Sequence, residues 1–349
     1  MIKIFSISFL YKLKKSFEKI RNYFYRFIIK YKLPIKIHPI YIYYPHHFDY
    51  SGMLEFRPFV MMMHEANFRS KAINTDEFGL REQYFKKTGE FLKIRQLKRD
   101  LDHCNLITGG STVFGTNASS DKETIAYHLS TDVPFINFGI RGGTSQQEVI
   151  EFLLLKKFLP TLKNIVLLSG INNFSLASIN APIQFPEFGS TFYQDIFFGK
   201  DFIVSKNRKI PKQNFKRKLE ILTSILLNDL DTWKGLQTSG NSKVHYVLQP
   251  VVGWTQKKLT HLEKLCIDAD IKIFGKLHEI YWDQELYVEY SQTIRNACEL
   301  YGIEFHDSNE WLNDPRFENE TVFTDICHLT DHGNLILAEL LSKKLKWVN

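Results

Sequence analysis

Cysteine is scarce in this chain, and its spacing carries no pattern. Cys104, Cys266, Cys298 and Cys327 form no C-x-x-C pair, and none joins a histidine at zinc-ligand spacing. A zinc ribbon and a redox dithiol are therefore excluded, leaving buried free thiols in a reducing compartment as the expectation. Nucleotide-cofactor motifs are missing as well, so neither a metal nor a cofactor is expected. Long apolar runs are also lacking. No stretch reaches the ~18 uncharged apolar residues that a membrane span requires. Ile2–Tyr11 is apolar apart from Lys3, Ser6 and Ser8, but it is short, is followed rather than preceded by basic residues, and has no small-residue cleavage site. A signal peptide is not expected, and the default location is the cytoplasm.

Acidic residues are nearly absent from one region. Residues 1–36 contain ten Lys/Arg and one acid, Glu18, a local charge of +9 against a total of +7. The rest of the chain carries −2, so the basic character belongs to the N-terminus and the remainder gives no footprint for nucleic acid. Phe5, Phe9, Leu13, Phe17, Ile20, Phe24, Phe27 and Ile28 recur there at three- and four-residue steps, with lysines and arginines between them, until Pro34. This predicts a basic amphipathic helix over residues 1–33. Such a helix lies on an anionic membrane surface, at the inner face, docks to a partner, or packs on its own domain.

An apolar content of 44% supports a core. Residues 37–100 lack long periodicity, and Pro39, Pro45 and Pro58 punctuate aromatic runs, which predicts an extension wrapped on the main domain. A short helix or linker is expected over 92–101. Beyond residue 101, strand-like and helix-like segments alternate. Strands are expected at 104–109, 133–138, 164–169, 243–249 and 302–306. Helices are expected at 121–130, 144–159, 215–236, 256–300 with a break, and 329–346. Strands separated by helices imply parallel pairing, with ligands bound beyond the carboxyl ends of the strands. Residues 174–214 read as a long aromatic insertion after the third strand, either a lid or a packed excursion.

Short motifs follow the strand-like runs. Gly109-Gly110-Ser111-Thr112 closes the first. Ile140-Arg141-Gly142-Gly143 follows the second, and Gly170-Ile171-Asn172-Asn173 the third. Near the end stand Asp325-Ile326-Cys327-His328. A serine, an imidazole to take its proton and a carboxylate to hold the imidazole are the parts of nucleophilic catalysis. The spacing is not that of α/β-hydrolases, whose serine sits in G-x-S-x-G with the acid far from the histidine.

The four blocks in this order resemble the SGNH/GDSL hydrolase family, over roughly residues 101–346. The resemblance implies a three-layer α/β/α sandwich around a mainly parallel, flavodoxin-like sheet. It implies Ser111 as nucleophile, Asp325 and His328 as acid and base, and Gly142 and Asn172 as oxyanion donors. Gly110 stands where Asp is commoner, and Asn173 stands where the block usually has Asp. The segment Asn74-Thr75-Asp76-Glu77-Phe78-Gly79-Leu80-Arg81 resembles an Asn-x-x-Gly-Phe-Arg element of many bacterial members, a subset of which is labelled phenazine-inducer-like. The activity implied is that of a serine esterase acting on an O-acyl ester, on a small molecule, a carbohydrate or a glycolipid. O-acyl transfer to a glycan uses the same residues, and a non-catalytic binding or regulatory scaffold is the third alternative. Arg141, Gln249 and Trp254 are candidate substrate contacts: Arg141 meets an anionic or sugar group or makes a surface ion pair, and Trp254 stacks on a sugar or acyl chain or simply packs. His332 reads as a cap of the last helix. His245, His261, His278 and His306 have no partner pattern, and the Cys327 side chain is expected to point away from Asp325 and His328.

Overall fold

Strand-forming runs alternate between two apolar faces, and that alternation builds three layers. The computed structural model describes residues 20–23, 25–26, 37–50, 53–178, 212–240, 242–274 and 279–348. Five strands form one sheet: β5 (His103–Gly109), β6 (Phe135–Gly139), β7 (Thr161–Ser169), β8 (Lys243–Leu248) and β9 (Glu304–Asp307). Their order is β6-β5-β7-β8-β9, and every pairing is parallel. That order is the flavodoxin-like one, with the chain reversing direction across the sheet between β5 and β7.

Helices cover both faces, so both faces are apolar. On one face Leu106, Phe138, Ile165, Leu167, Tyr246 and Leu248 join the same core as Val149, Phe152, Leu222, Trp233 and Ile294. These last residues belong to helices α5 (Ser145–Leu155), α7 (Lys212–Gly240) and α9 (Gln284–Leu300). On the other face Ile107, Val166, Leu168 and Val247 pack with Ile125, Leu129, Ile267, Ile336 and Leu341. Those come from α4 (Ile125–Leu129), α8 (His261–Phe274) and α11 (Asp331–Lys344). Remaining short helices are α1 (Pro39–Tyr43), α2 (Ile94–Asp100), α3 (Ser111–Phe114), α6 (Ile171–Ser178) and α10 (Ser308–Trp311).

The stretch before residue 101 forms two antiparallel hairpins. β1 (Leu54–Arg57) pairs with β2 (Met61–His64), and β3 (Gln83–Phe85) with β4 (Glu90–Leu92). Val60, Met63, Leu80, Ile94 and Leu97 enter the larger core. Tyr50, Met53, Ala72 and Ile73 form a smaller core around Phe114 of α3.

The helix expected over residues 1–33 lies outside the described residues except for 20–23 and 25–26, which are helical. There Arg26 meets Asp49 at 3.0 Å, and the Tyr25 ring lies 5.4 Å from that of Tyr41. The insertion expected over 174–214 also lies outside the described residues from 179 to 211. Its first residue is not part of any excursion: Phe174 is fully buried among Phe215, Trp254 and Tyr290. Among the described residues, no helix is long and apolar enough to cross a membrane.

Candidate active site

β5 ends at Gly109, and the chain turns through Gly110 into the one-turn helix α3, with Ser111 as its first helical residue. A Cβ at Gly110 would lie 2.5 Å from the Asn172 amide nitrogen, so any side chain there would push the Asn172 amide aside. The glycine thus permits the close approach of the Ser111 corner and Asn172. Asn137 on β6 donates to the Val113 carbonyl at 2.8 Å, tying α3 to the sheet.

Ser111 Oγ is 2.7 Å from His328 Nε2, and His328 Nδ1 is 2.6 Å from Asp325 Oδ2. With the carboxylate accepting from Nδ1–H, Nε2 is free to accept the serine proton. The other oxygen of Asp325 accepts the backbone N–H groups of Cys327 and His328 at 3.0 and 2.8 Å. Burial would raise the Asp325 carboxyl. The His328 charge and ring hydrogen bond, together with the two backbone donors, outweigh that and hold it well below the usual carboxylate range.

The turn carrying these two residues closes on itself. Phe323 and Leu329 form an antiparallel bridge, and Thr324 N donates to the His328 carbonyl at 2.9 Å. Glu263 anchors its entry: one carboxylate oxygen accepts Val322 N and Phe323 N, the other Thr260 N and Lys257 Nζ. Neither side chain of the Lys257–Glu263 pair is exposed. A buried ion pair needs its remaining polar atoms satisfied, and these bonds satisfy those of Glu263.

Gly142 and Asn172 follow β6 and β7, the strands that flank β5. Gly142 has a φ of 74°, in the left-handed region that favours glycine. Asn172 Nδ2 donates to the Gly143 carbonyl at 2.7 Å, which orients the amide and leaves its second N–H for another acceptor. Asn173 uses both ends of its amide on Ser145. Its Oδ1 accepts Ser145 N at 3.2 Å and its Nδ2 lies 2.9 Å from Ser145 Oγ. Both ends of one amide hold the start of α5.

Other expectations are corrected. Trp254 is 1% exposed, stacked on Tyr287 with ring centroids 5.3 Å apart, and is a core residue. Gln249, also 1% exposed, donates to Thr112 Oγ1 at 3.0 Å, and Thr112 Oγ1 donates to the Cys327 carbonyl at 3.0 Å. Thr112 therefore links α3 to the Asp325–His328 turn, and Gln249 ties α3 to the end of β8 as a buried residue. The Arg141 guanidinium turns toward the extension, donating to the Tyr50 carbonyl at 2.6 Å and lying over its ring. His332 does not cap α11. Thr330 is the N-cap, accepting from Gly333 N, and His332 pairs with Glu320 at 2.8 Å. Cys327 does not point away: its sulfur is within 4.8 Å of ligand atoms of Asp325 and His328. Burial and the Asp325 charge raise its thiol well above the ordinary value, so it stays protonated.

A second group, His245, Glu304 and His306, gathers at the other end of β8 and β9. Lys243 Nζ is 3.0 Å from Glu304 Oε2, so this carboxylate already has a cation. His278 lies outside the described residues, and His261 is exposed at the start of α8.

Sequence reasoning missed the extension's part in the site. His47 Nδ1 is 2.5 Å from Asn117 Oδ1, and Asn117 Nδ2 donates to Thr324 Oγ1 at 2.7 Å. Burial pushes His47 down to about 4, against the hydrogen bond its ring donates to Asn117 Oδ1, so the ring is neutral. Asn117 adopts a φ of 72°, a conformation in which Asn is enriched among non-glycine residues. The Asn74–Arg81 element clamps the far end of α3. Arg81 donates to the carbonyls of Phe114 and Gly115 at 3.0 and 2.8 Å and to Asp121 at 2.8 Å, and Asn74 donates to Asp121 at 2.6 Å.

No protein-family model and no curated protein sequence matches the chain. Solved structures similar to it include a G-D-S-L family lipolytic protein from Veillonella parvula, at 13% identity and a TM-score of 0.41, covering 70% of this chain and 98% of that one. A lipase/acylhydrolase from Enterococcus faecalis has 13% identity and a TM-score of 0.39, covering 70% and 99%. A Geobacillus acetyl-xylooligosaccharide esterase variant has 12% identity and a TM-score of 0.37, covering 71% and 96%.

Proposed function

We propose that this chain is a serine acyl hydrolase of the SGNH type, cleaving an O-acyl ester through an acyl-Ser111 intermediate. The observation that carries the reading is the contact series Ser111–His328–Asp325, at 2.7 and 2.6 Å, beside the Gly142 and Asn172 turns on the two flanking strands.

The steps follow from these atoms. His328 Nε2 removes the Ser111 hydroxyl proton as Oγ attacks the ester carbonyl. Negative charge collects on the former carbonyl oxygen and is met by N–H donors of Ser111, Gly142 and the Asn172 amide, each such donor contributing roughly 2.7–4 kcal/mol to the transition state. Collapse expels the alkoxide, which takes the proton from His328. Water then attacks the acyl-serine with His328 as base, and Ser111 leaves with the proton returned to it. Asp325 keeps the imidazole in the tautomer the cycle needs.

A sugar hydroxyl in place of water turns the same cycle into acyl transfer. The test is product analysis with acetyl esters, with and without sugar acceptors, on wild type and Ser111→Ala. Ser111-dependent release of free acetate supports hydrolysis, and Ser111-dependent acetylation of the acceptor supports transfer. Turnover by the alanine variant at the wild-type rate contradicts both.

A further inference from the structure

β2 ends at His64, whose ring is fully buried and touches both α3 and the turn after β6. Its Nδ1 is 3.1 Å from the Gly79 carbonyl, and its Nε2 is 3.3 Å from the backbone nitrogen of Arg141. A carbonyl only accepts and a backbone N–H only donates, so the proton sits on Nδ1 and Nε2 is the bare acceptor. The ring also stacks on Phe114, the last residue of α3, with centroids 3.7 Å apart and planes 19° from parallel.

We propose that His64 is a positioning residue of the oxyanion site: by accepting the Arg141 N–H it fixes the turn that aims the Gly142 N–H. The inference rests on the reading of Gly142 as an oxyanion donor. Arg141 immediately precedes Gly142, and the peptide that His64 holds is one removed from the donor. The same turn is braced from the extension by the Arg141 side chain on the Tyr50 carbonyl, at 2.6 Å, and by Gln147 Nε2 on the Val60 carbonyl, at 2.6 Å. Gly143 N closes it on the Ile140 carbonyl at 2.8 Å. One imidazole thus sets the oxyanion turn and the nucleophile helix against each other. Its charge state suits the task. Burial and the neighbouring Arg141 and Arg81 charges push its pKa well below the ordinary value, and a proton on Nε2 would face the Arg141 N–H.

A histidine that merely fills the core would affect stability and leave the chemical step alone. The experiment compares His64→Gln, whose amide oxygen reaches the Nε2 position, with His64→Asn, which reaches only the Nδ1 position. His64→Phe keeps the ring stack and removes the acceptor. With p-nitrophenyl acetate, the Asn and Phe variants should lose about ten- to a hundredfold in kcat with KM little changed, as expected for a donor displaced from its aim. His64→Gln should restore most of that loss. Folded Asn and Phe variants with wild-type kcat would overturn the proposal, as would kcat losses in all three that follow their melting temperatures. Imidazole nitrogen NMR of the wild type needs no variant. It should show His64 as the neutral Nδ1–H tautomer between about pH 6 and 8, and an Nε2–H tautomer or an imidazolium there would also overturn the proposal. Fluorophosphonate capture of wild-type Ser111 separates the two readings, because its absence sinks the hydrolase assignment while these His64 outcomes bear on positioning alone.

Discussion

Asn172 and Asn173 are adjacent asparagines with different tasks, and the difference is measurable. Asn172 has one N–H fixed on the Gly143 carbonyl and its nitrogen against Gly110, the residue before the nucleophile. Asn172→Ala is expected to lower kcat about 10²–10³-fold, the loss of one preorganised donor. Asn173 holds Ser145 instead, so Asn173→Ala should lower the melting temperature and reduce kcat far less. Steady-state kinetics and thermal unfolding of both variants check the assignment. At this scale, Ser111, Gly142 and Asn172 were legible as residues that follow strands, and Asp325 and His328 as a pair carried on one turn. Gln249, Trp254 and Arg141 were not legible as to role. A polar or aromatic residue after a strand reads the same whether it faces a cleft or a neighbouring helix. What decides is burial against Thr112, Tyr287 and Tyr50, which lie far off in sequence.

Elements carry the second tier of organisation. The five strands were legible to within three residues at each end, because runs buried on both faces stand out between polar turns. The hairpins were not, because β1–β4 are three or four residues long, too short for a period to show. The segment between the two hairpins holds the groups that clamp α3, chief among them Arg81. Its side chain is 1% exposed and paired with Asp121, itself 5% exposed. Removing one partner of such a pair leaves an uncompensated buried charge and costs about 3–5 kcal/mol. Arg81→Met should therefore unfold at markedly lower denaturant concentration, and Arg81→Lys should rescue little because it lacks the fork that reaches both carbonyls. A Lys variant with wild-type stability in urea titration would contradict the clamp.

Between α5 and α7 lies a different device. Burial raises Glu148 to about 8 and Asp229 to about 7, and it raises Glu151 well above the ordinary carboxylate value. A carboxyl whose pKa is raised by folding holds its proton more tightly in the native state. Stability is then greatest below the unfolded-state value near 4.5 and is lost as pH rises through about 8. Each unit of elevation is worth about 1.4 kcal/mol once pH exceeds both values. The melting temperature should accordingly fall from pH 5.5 to pH 8.5, and Glu148→Gln should flatten part of that slope. A flat or rising profile would contradict protonated burial of these acids.

For the molecule as a whole, charge divides the chain. Residues 1–36 carry +9 and the rest −2. Each basic residue near an anionic surface can add on the order of 1 kcal/mol of attraction. Where this helix is described, Asn22 and Arg26 reach Phe48 and Asp49 of the extension, while Ile20 and Tyr23 are exposed. Deleting residues 1–33 should weaken binding to anionic liposomes in a sedimentation assay and leave hydrolysis of a soluble ester nearly unchanged. A truncated chain that fails to fold would make the helix part of the domain. The central claim concerns one atom, Ser111 Oγ, and covalent capture tests it most directly. A fluorophosphonate probe, followed by peptide mass mapping, should place a single adduct on Ser111 of the wild type and none on Ser111→Ala. An adduct on another serine, or labelling that persists in the alanine variant, would contradict the account.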